Sequence, residues 1–237
     1  MKMIFKILTL FPEMFPGPLN FSIPGNALRS NKFSIETFNI RDFSNLSNNS
    51  VDEKPFGGGA GMILRPDILQ ASLDYVVKKK SKKFKIIYLS PRGKVFNQSK
   101  VKEISKYDEL IIICGRYEGI DQRFIDSNDI EEISIGDYIL SGGEVPAFIL
   151  IDACIRLIPE VLGNTKSLHL ESFEDNLLEY PQYTKPLMWN ELRVPDILFS
   201  GHHKKIADWR KKKAIEKTKN TRPDLWKLYK NNEREKK

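Results

Sequence analysis

Three glycine-containing segments each follow an apolar run: Ser90-Pro91-Arg92-Gly93 after Ile86 to Leu89, Gly115-Arg116-Tyr117-Glu118-Gly119 after Leu110 to Cys114, and Gly136-Asp137-Tyr138-Ile139-Leu140-Ser141-Gly142-Gly143 after Ile133 to Ile135. In parallel sheets ligands bind beyond the carboxyl ends of strands, and glycine lets a ligand approach the backbone. Any one of these loops is explained by turn chemistry alone. Three together, with Tyr88, Tyr117 and Tyr138 available for stacking, point to one pocket for a nucleoside-like ligand. A fourth run, Gly57-Gly58-Gly59-Ala60-Gly61-Met62, precedes a helix start at Pro66, where free backbone amides can meet a nucleic-acid phosphate or base edge. Its plain alternative is a flexible linker, against which the flanking Pro55-Phe56 and Met62-Ile63-Leu64 argue.

Absences narrow the ligand. Gly93-Lys94 is followed by Val95, so no phosphate-cradling G-x-x-x-x-G-K-[ST] loop exists, and no strand is followed by a spaced G-x-G-x-x-G. Triphosphates and dinucleotides are disfavoured, whereas a phosphate-free nucleoside such as an adenosyl donor fits. Cys114 and Cys154 lie far apart in apolar contexts without C-x-x-C spacing, which reads as two buried thiols in a reducing, cytoplasmic setting. The histidines are His169, His202 and His203. They give no ligand set for zinc and no partner for a cysteine nucleophile, so no metal site is read from them.

Stepping from these loops to the elements that carry them, alternating strand and helix patterns imply parallel strands with crossover helices. Strands are expected at Met3 to Leu10, Ser34 to Phe38, Lys85 to Leu89, Glu109 to Cys114 and Glu132 to Ile135. Helices are expected at Pro66 to Lys79, Gln98 to Tyr107 and Val145 to Leu157, with a solvated loop over the lysine-rich stretch Lys78 to Lys85. The N-terminal run is interrupted by Lys6 and followed by Pro12-Glu13, so it reads as a first strand and not a targeting segment. The longest apolar stretch, Ala147 to Ile158, is far short of the roughly 20 apolar residues a bilayer crossing needs, and no membrane partner is expected. The 237 residues suffice for one large α/β domain with a small appendage. From Pro159 to Pro195 turn formers dominate, a long connection of the kind compact domains keep for function.

The net charge of +7 is unevenly placed. Residues 202–237 hold 14 Lys and Arg against 5 Asp and Glu, leaving 24 against 26 for the rest. A basic appendage on a near-neutral body suggests polyanion binding, with simple lysine enrichment of an exposed surface as the alternative. Ile206, Trp209, Ala214 and Ile215, then Leu225, Trp226, Leu228 and Tyr229, suggest two or three short helices with a small core of their own.

These segments also carry a resemblance. Leu10-Phe-Pro-Glu-Met-Phe15, Phe56 to Met62, Tyr88-Leu-Ser-Pro-Arg-Gly93, Cys114-Gly-Arg-Tyr-Glu-Gly-Ile-Asp121, Ser134 to Glu144 and Val161-Leu-Gly163, in this order and spacing, resemble the bacterial tRNA (guanine-N1)-methyltransferases of the SPOUT class. The match continues through Tyr183-Thr184, Ser200-Gly201, His203 and Trp209-Arg210 and covers nearly the whole chain. It implies a trefoil-knotted α/β domain at 1–160, a linker carrying a catalytic residue at 161–186, and a basic helical tRNA-binding domain at 187–237, assembled as a homodimer. It also implies methylation of N1 of guanosine 37, just 3′ of the anticodon, with S-adenosylmethionine as donor and magnesium as a further candidate.

By the same resemblance, Gly115 and the run Ile135, Gly136, Asp137, Tyr138, Ile139 and Leu140 hold the donor through backbone atoms, with Tyr88, Leu89, Tyr117, Gly142 and Gly143 completing its pocket. Gly57, Gly58, Gly59, Gly61 and Met62 would help hold the target guanine, and His203, Trp209 and Arg210 would contact RNA. Glu171 stands where the family has an aspartate base, Arg156 matches an arginine set against guanine O6, and Glu118 matches a glutamate that orients this arginine and a magnesium ion. Departures include Glu171 itself, Ala60 in place of a proline, and the linker run Leu178 to Tyr183. Two rivals remain open: another SPOUT RNA methyltransferase, or a non-catalytic RNA-binding or ribosome-assembly protein.

Overall fold

The structure, a computed structural model, describes residues 3–78, 83–162 and 171–235. The chain divides into two compact units, residues 1–163 and 164–237. Within the first, the strands in chain order are β1 (Met3–Thr9), β2 (Phe33–Asn39), β3 (Asp52–Glu53), β4 (Ile63–Leu64), β5 (Phe84–Val95), β6 (Glu109–Cys114) and β7 (Ile130–Ser134). Five of them form one all-parallel sheet ordered β2-β1-β6-β5-β7, while β3 and β4 pair separately as a short antiparallel ribbon. The helices are α1 (Ser22–Arg29), α2 (Pro66–Val77), α3 (Gln98–Ile104), α4 (Gln122–Asp126) and α5 (Glu144–Ile155).

Helices cover both faces, as an all-parallel sheet requires. Phe5, Ile7, Leu110, Ile112 and Cys114 meet Ala27 of α1, Val101 and Ile104 of α3, and Ala147, Leu150, Ile151 and Cys154 of α5. On the opposite face Leu8, Ile86, Ile111 and Ile113 meet Ile68, Leu69, Leu73 and Val76 of α2 and Phe124 of α4. Lys6 sits in this apolar layer because Glu109 answers it: their side chains pair at 3.0 Å, 3% and 1% exposed. Local chemistry sets the helix starts. Pro66 opens α2, Asn97 accepts the Lys100 amide at 3.0 Å to cap α3, and Asp121 accepts the Arg123 amide at 2.9 Å to cap α4.

Several elements depart from the expected ones. The strand expected at Lys85 to Leu89 runs on to Val95, with its pairing to β7 broken between Leu89 and Lys94, so residues 90–93 leave the ladder as a bulge. The last strand begins at Ile130 and stops at Ser134, and the helix at Gln98 ends at Ile104. Helices α1 and α4 were not expected, since α1 contains Pro24-Gly25 and α4 is only five residues long. Lys79 to Lys82, within the expected lysine-rich loop, lie outside the described residues, as do His169 and Gly163.

In the second unit a hairpin of β8 (Met188–Trp189) and β9 (Leu192–Arg193) precedes α6 (His203–Thr221) and α7 (Pro223–Glu235). The tail therefore holds two helices, one of 19 residues, where two or three short ones were expected. Ala214, Thr218, Leu225 and Tyr229 are buried among its described residues. The Thr218 hydroxyl donates to the Ala214 carbonyl at 2.7 Å and accepts the Leu178 amide at 2.8 Å, tying the segment before the hairpin to α6.

Candidate active site

The bulge after Leu89, the turn after β6 and the segment between β7 and α5 converge at the carboxyl edge of the sheet. They enclose a cavity of about 350 Å³. Its walls include Tyr88, Leu89, Gly115, Tyr117, Glu118, Ile135, Gly136, Tyr138, Ile139, Leu140, Gly142 and Gly143. The volume lies within the range of small-molecule sites. Tyr88 is buried, and its phenol is pushed above the ordinary tyrosine range by burial first and the Glu132 carboxylate second. Tyr117 and Tyr138 are half-exposed at the rim.

The β6 turn and the segment before α5 are held together by close backbone approach and one buried ion pair. The Gly143 amide donates to the Gly115 carbonyl at 2.9 Å, and a side chain at Gly143 would begin 2.6 Å from the Cys114 Cα, so only glycine lets α5 start there. One residue on, Glu144 is 1% exposed; its Oε1 accepts the Thr9 hydroxyl at 2.7 Å and its Oε2 lies 3.0 Å from Arg116 Nε. Arg116 also donates to the Ser141 carbonyl at 3.2 Å and lays its guanidinium 4.4 Å from the Phe11 ring centroid. One arginine thus ties the β6 turn, the segment before α5 and the segment after β1. Because this cation is matched by Glu144, it does not give the pocket a free phosphate-binding charge.

The glycine-rich run is stitched to the same rim. Glu118 donates its amide to the Met62 carbonyl at 2.9 Å, Leu64 donates to Gly119 at 3.0 Å, and Asp121 donates to Leu64 at 3.3 Å. Gly57, Gly58, Gly59 and Gly61 all have positive φ. Gly61 lies against the Glu118 side chain, so residues 57–62 are presented beside the cavity by a short parallel seam.

A family model described as tRNA (Guanine-1)-methyltransferase TrmD matches residues 3–228. The chain belongs to this family. Proteins named tRNA (guanine-N(1)-)-methyltransferase are similar to it throughout. The one from Rhodospirillum rubrum is 51% identical over 223 residues, covering 94% of this chain and 92% of that protein. That from Zymomonas mobilis is 51% identical over 224 residues, covering 94% and 90%, and that from Pelagibacter ubique is 48% identical over 227 residues, covering 96% and 98%.

Against the family's expected residues, the structure gathers Tyr88, Leu89, Gly115, Tyr117, Glu118, Ile135, Gly136, Tyr138, Ile139, Leu140, Gly142 and Gly143 around one cavity; Asp137 is not among its walls. Arg156 is half-buried at the end of α5, about 18 Å along the helix axis from Glu144 at the pocket end. Glu171 is half-buried in the second unit. There too, Trp209 and Arg210 line a separate cavity of about 490 Å³ with Tyr180, Tyr183 and Phe199, and the Arg210 guanidinium lies 4.9 Å over the Tyr180 ring. His203 is exposed at the start of α6. Sequence reasoning missed Thr9, Arg116 and Glu144; an acidic residue directly after a Gly-Gly pair at a helix start is the one local signal that could have flagged Glu144. Both cysteines are buried, and burial pushes the Cys154 thiol up to about 12 and the Cys114 thiol well above its usual value. No described helix is long and apolar enough to cross a membrane.

Proposed function

We propose that this chain transfers the methyl group of S-adenosylmethionine to N1 of a guanosine in tRNA, at position 37 on the 3′ side of the anticodon. The observation that carries the reading is the cavity at the strand ends, joined to the glycine-rich run by the Glu118–Met62 and Leu64–Gly119 hydrogen bonds. A nucleoside donor fits these walls: apolar Ile133, Ile135, Leu140 and Pro146 for the ring, and backbone from residues 115 and 136–143 for its polar edges. The relatives' names supply the acceptor class.

The bound donor supplies an electrophilic methyl group. The chain must hold it in line with guanine N1 and remove the N1 proton, which frees the lone pair that forms the N–C bond as the C–S bond breaks. Glu171 is the assigned proton acceptor, and Arg156 stabilises the charge that grows on O6 as the proton leaves. Glu118, at the seam between the glycine run and the cavity, positions the acceptor side. Among the described residues no group of three or more His, Cys, Asp or Glu side chains could hold a metal ion.

A homodimer is part of this reading, and the place of Arg156 supports it. Helix α5 is predominantly apolar, and Val145 and Ile149 stay about half exposed on a stripe that continues to Asp152 and Arg156. Two-fold pairing through that stripe covers it and carries one copy's Arg156 toward the other's pocket. The knot is assigned to residues 134–143, whose return beneath the end of β6 is supported by the Gly143–Gly115 contact. The exposed lysines of α6, among them Lys204, Lys205, Lys211 and Lys212, give the second unit its assigned role in gripping RNA.

The deciding experiment is labelled methyl transfer into unmodified tRNA carrying G or A at position 37. Incorporation at N1 with G and none with A is the expected result; methylation elsewhere, or none with either, overturns the reading.

A further inference from the structure

Phe56 is 98% exposed, the most exposed large apolar residue among those described. It stands between Pro55 and three glycines of positive φ, Gly57, Gly58 and Gly59, around which a Cβ would meet almost nothing. The segment is nonetheless anchored at both ends, by the β3–β4 ribbon and by the Glu118–Met62 hydrogen bond that fastens it to the pocket rim. A bare aromatic ring on a segment fastened to the pocket rim offers a flat apolar face for a partner to cover. We propose that Phe56 is a stacking platform for the nucleobase next to the target guanosine in the RNA substrate, a proposal that rests on the function argued above.

The chemistry explains why such a platform is needed. Drawing a guanine out of a base stack removes a stacking partner from each neighbour. An aromatic side chain can replace that partner whatever the base, because every base has a π-face. At Gly57 and Gly58, next to the ring, a Cβ would meet nothing within 4 Å, so the backbone beside the ring is open to a partner.

The test is a double-mutant cycle on tRNA binding, read with S-adenosylhomocysteine present so that no turnover occurs. The full-length protein and its Phe56→Ala, Phe56→Leu and Phe56→Trp variants are paired with intact tRNA and with tRNA abasic at the nucleotide 5′ or 3′ of the target guanosine. Wild-type methyl transfer and wild-type binding of intact tRNA are read first, and absence of both overturns the tRNA reading and this proposal together. With both present, Phe56→Ala and Phe56→Leu should weaken binding of intact tRNA about 10- to 100-fold, while Phe56→Trp stays near wild type. On one of the two abasic substrates wild type and Phe56→Ala should bind equally. Donor affinity and melting temperature should not change in any variant, since the ring touches solvent. Equal losses on all three substrates, wild-type binding by Phe56→Leu, or a fall in dimer content on sedimentation of Phe56→Ala would each overturn it, the last by placing the ring against a second copy.

Discussion

The Glu118 side chain lies over Gly61 so closely that a Cβ there would stand 2.4 Å from its Cγ and 2.6 Å from Oε1. Gly61 also has φ +85°, a conformation L residues resist. The glycine run and the pocket loop are therefore fitted to each other at one point, and a single methyl group can separate them.

Gly61→Ala should cut methyl transfer at least tenfold by displacing Glu118 and the seam, and cost about 1–3 kcal/mol in stability through backbone strain. Adding Glu118→Ala removes the crowding but not the strain. Partial recovery of the melting temperature in the double variant, without recovery of activity, is the expected pattern; full activity in Gly61→Ala would show that the seam does not position the acceptor.

Arg116→Ala leaves Glu144 buried beside Thr9 without its cation. Breaking one side of a buried pair costs about 3–5 kcal/mol, and here it also frees the β6 turn and the segment before α5 from each other. Urea unfolding should show that loss together with weaker donor binding. Glu144→Gln added to Arg116→Ala should restore much of the stability, because no lone charge remains; it should not restore donor binding.

The buried thiols set an alkaline limit. Cys154, held neutral by burial, has its pKa raised from about 9 to about 12, and Cys114 moves in the same direction through burial first and the Glu144 carboxylate second. Above about pH 9 the unfolded chain releases these protons while the folded chain keeps them, so the unfolded state binds fewer protons and stability falls as pH rises towards about 12. Each thiol contributes roughly 1 kcal/mol per pH unit to that slope. Cys154→Ala should flatten the dependence of unfolding free energy between pH 9 and 11 by about one such share, and an unchanged slope would contradict the assigned burial.

Glu171→Gln should abolish methyl transfer while leaving donor and tRNA binding within a few-fold, since it removes the proton acceptor and keeps its shape. Glu171→Asp withdraws the carboxylate by about 1.5 Å, and a misplacement of about 1 Å can cost on the order of 100-fold. If the surroundings of Glu171 are fitted to the longer side chain, kcat falls in Glu171→Asp. Full activity in Glu171→Gln would assign the proton to another acceptor.

Legibility followed the reach of the signal. The β6 strand was read to the residue because Leu110 to Cys114 are apolar without interruption and fully buried between two helical layers. Helix α1 was not, because Pro24-Gly25 inside it are residues that argue for a turn. Helix α6 was underestimated for a different reason: its many lysines favour helix by intrinsic propensity but draw no apolar stripe. At the site, glycines at strand ends made the pocket loops readable. The Thr9–Glu144–Arg116 tie joins residues from three distant parts of the chain, and only the folded sheet brings them together.

The buried pair of Lys6 and Glu109 has a consequence for how the sheet is dealt. Ile4 pairs with Glu109 and Lys6 with Ile111, which sets the two charges diagonally on one face. The apolar residues around them are nearly interchangeable, so β1 could slide along β6 with little loss of oily contact. A slip of one residue would turn Lys6 away from Glu109 altogether, stranding two charges in an apolar layer. The pair thus acts as a registration mark for the central strands. Lys6→Met with Glu109→Leu should keep equilibrium stability within about 1–4 kcal/mol of wild type, on the stabilising side where the new side chains pack. Its cost should surface in refolding yield, as chains align those strands out of step.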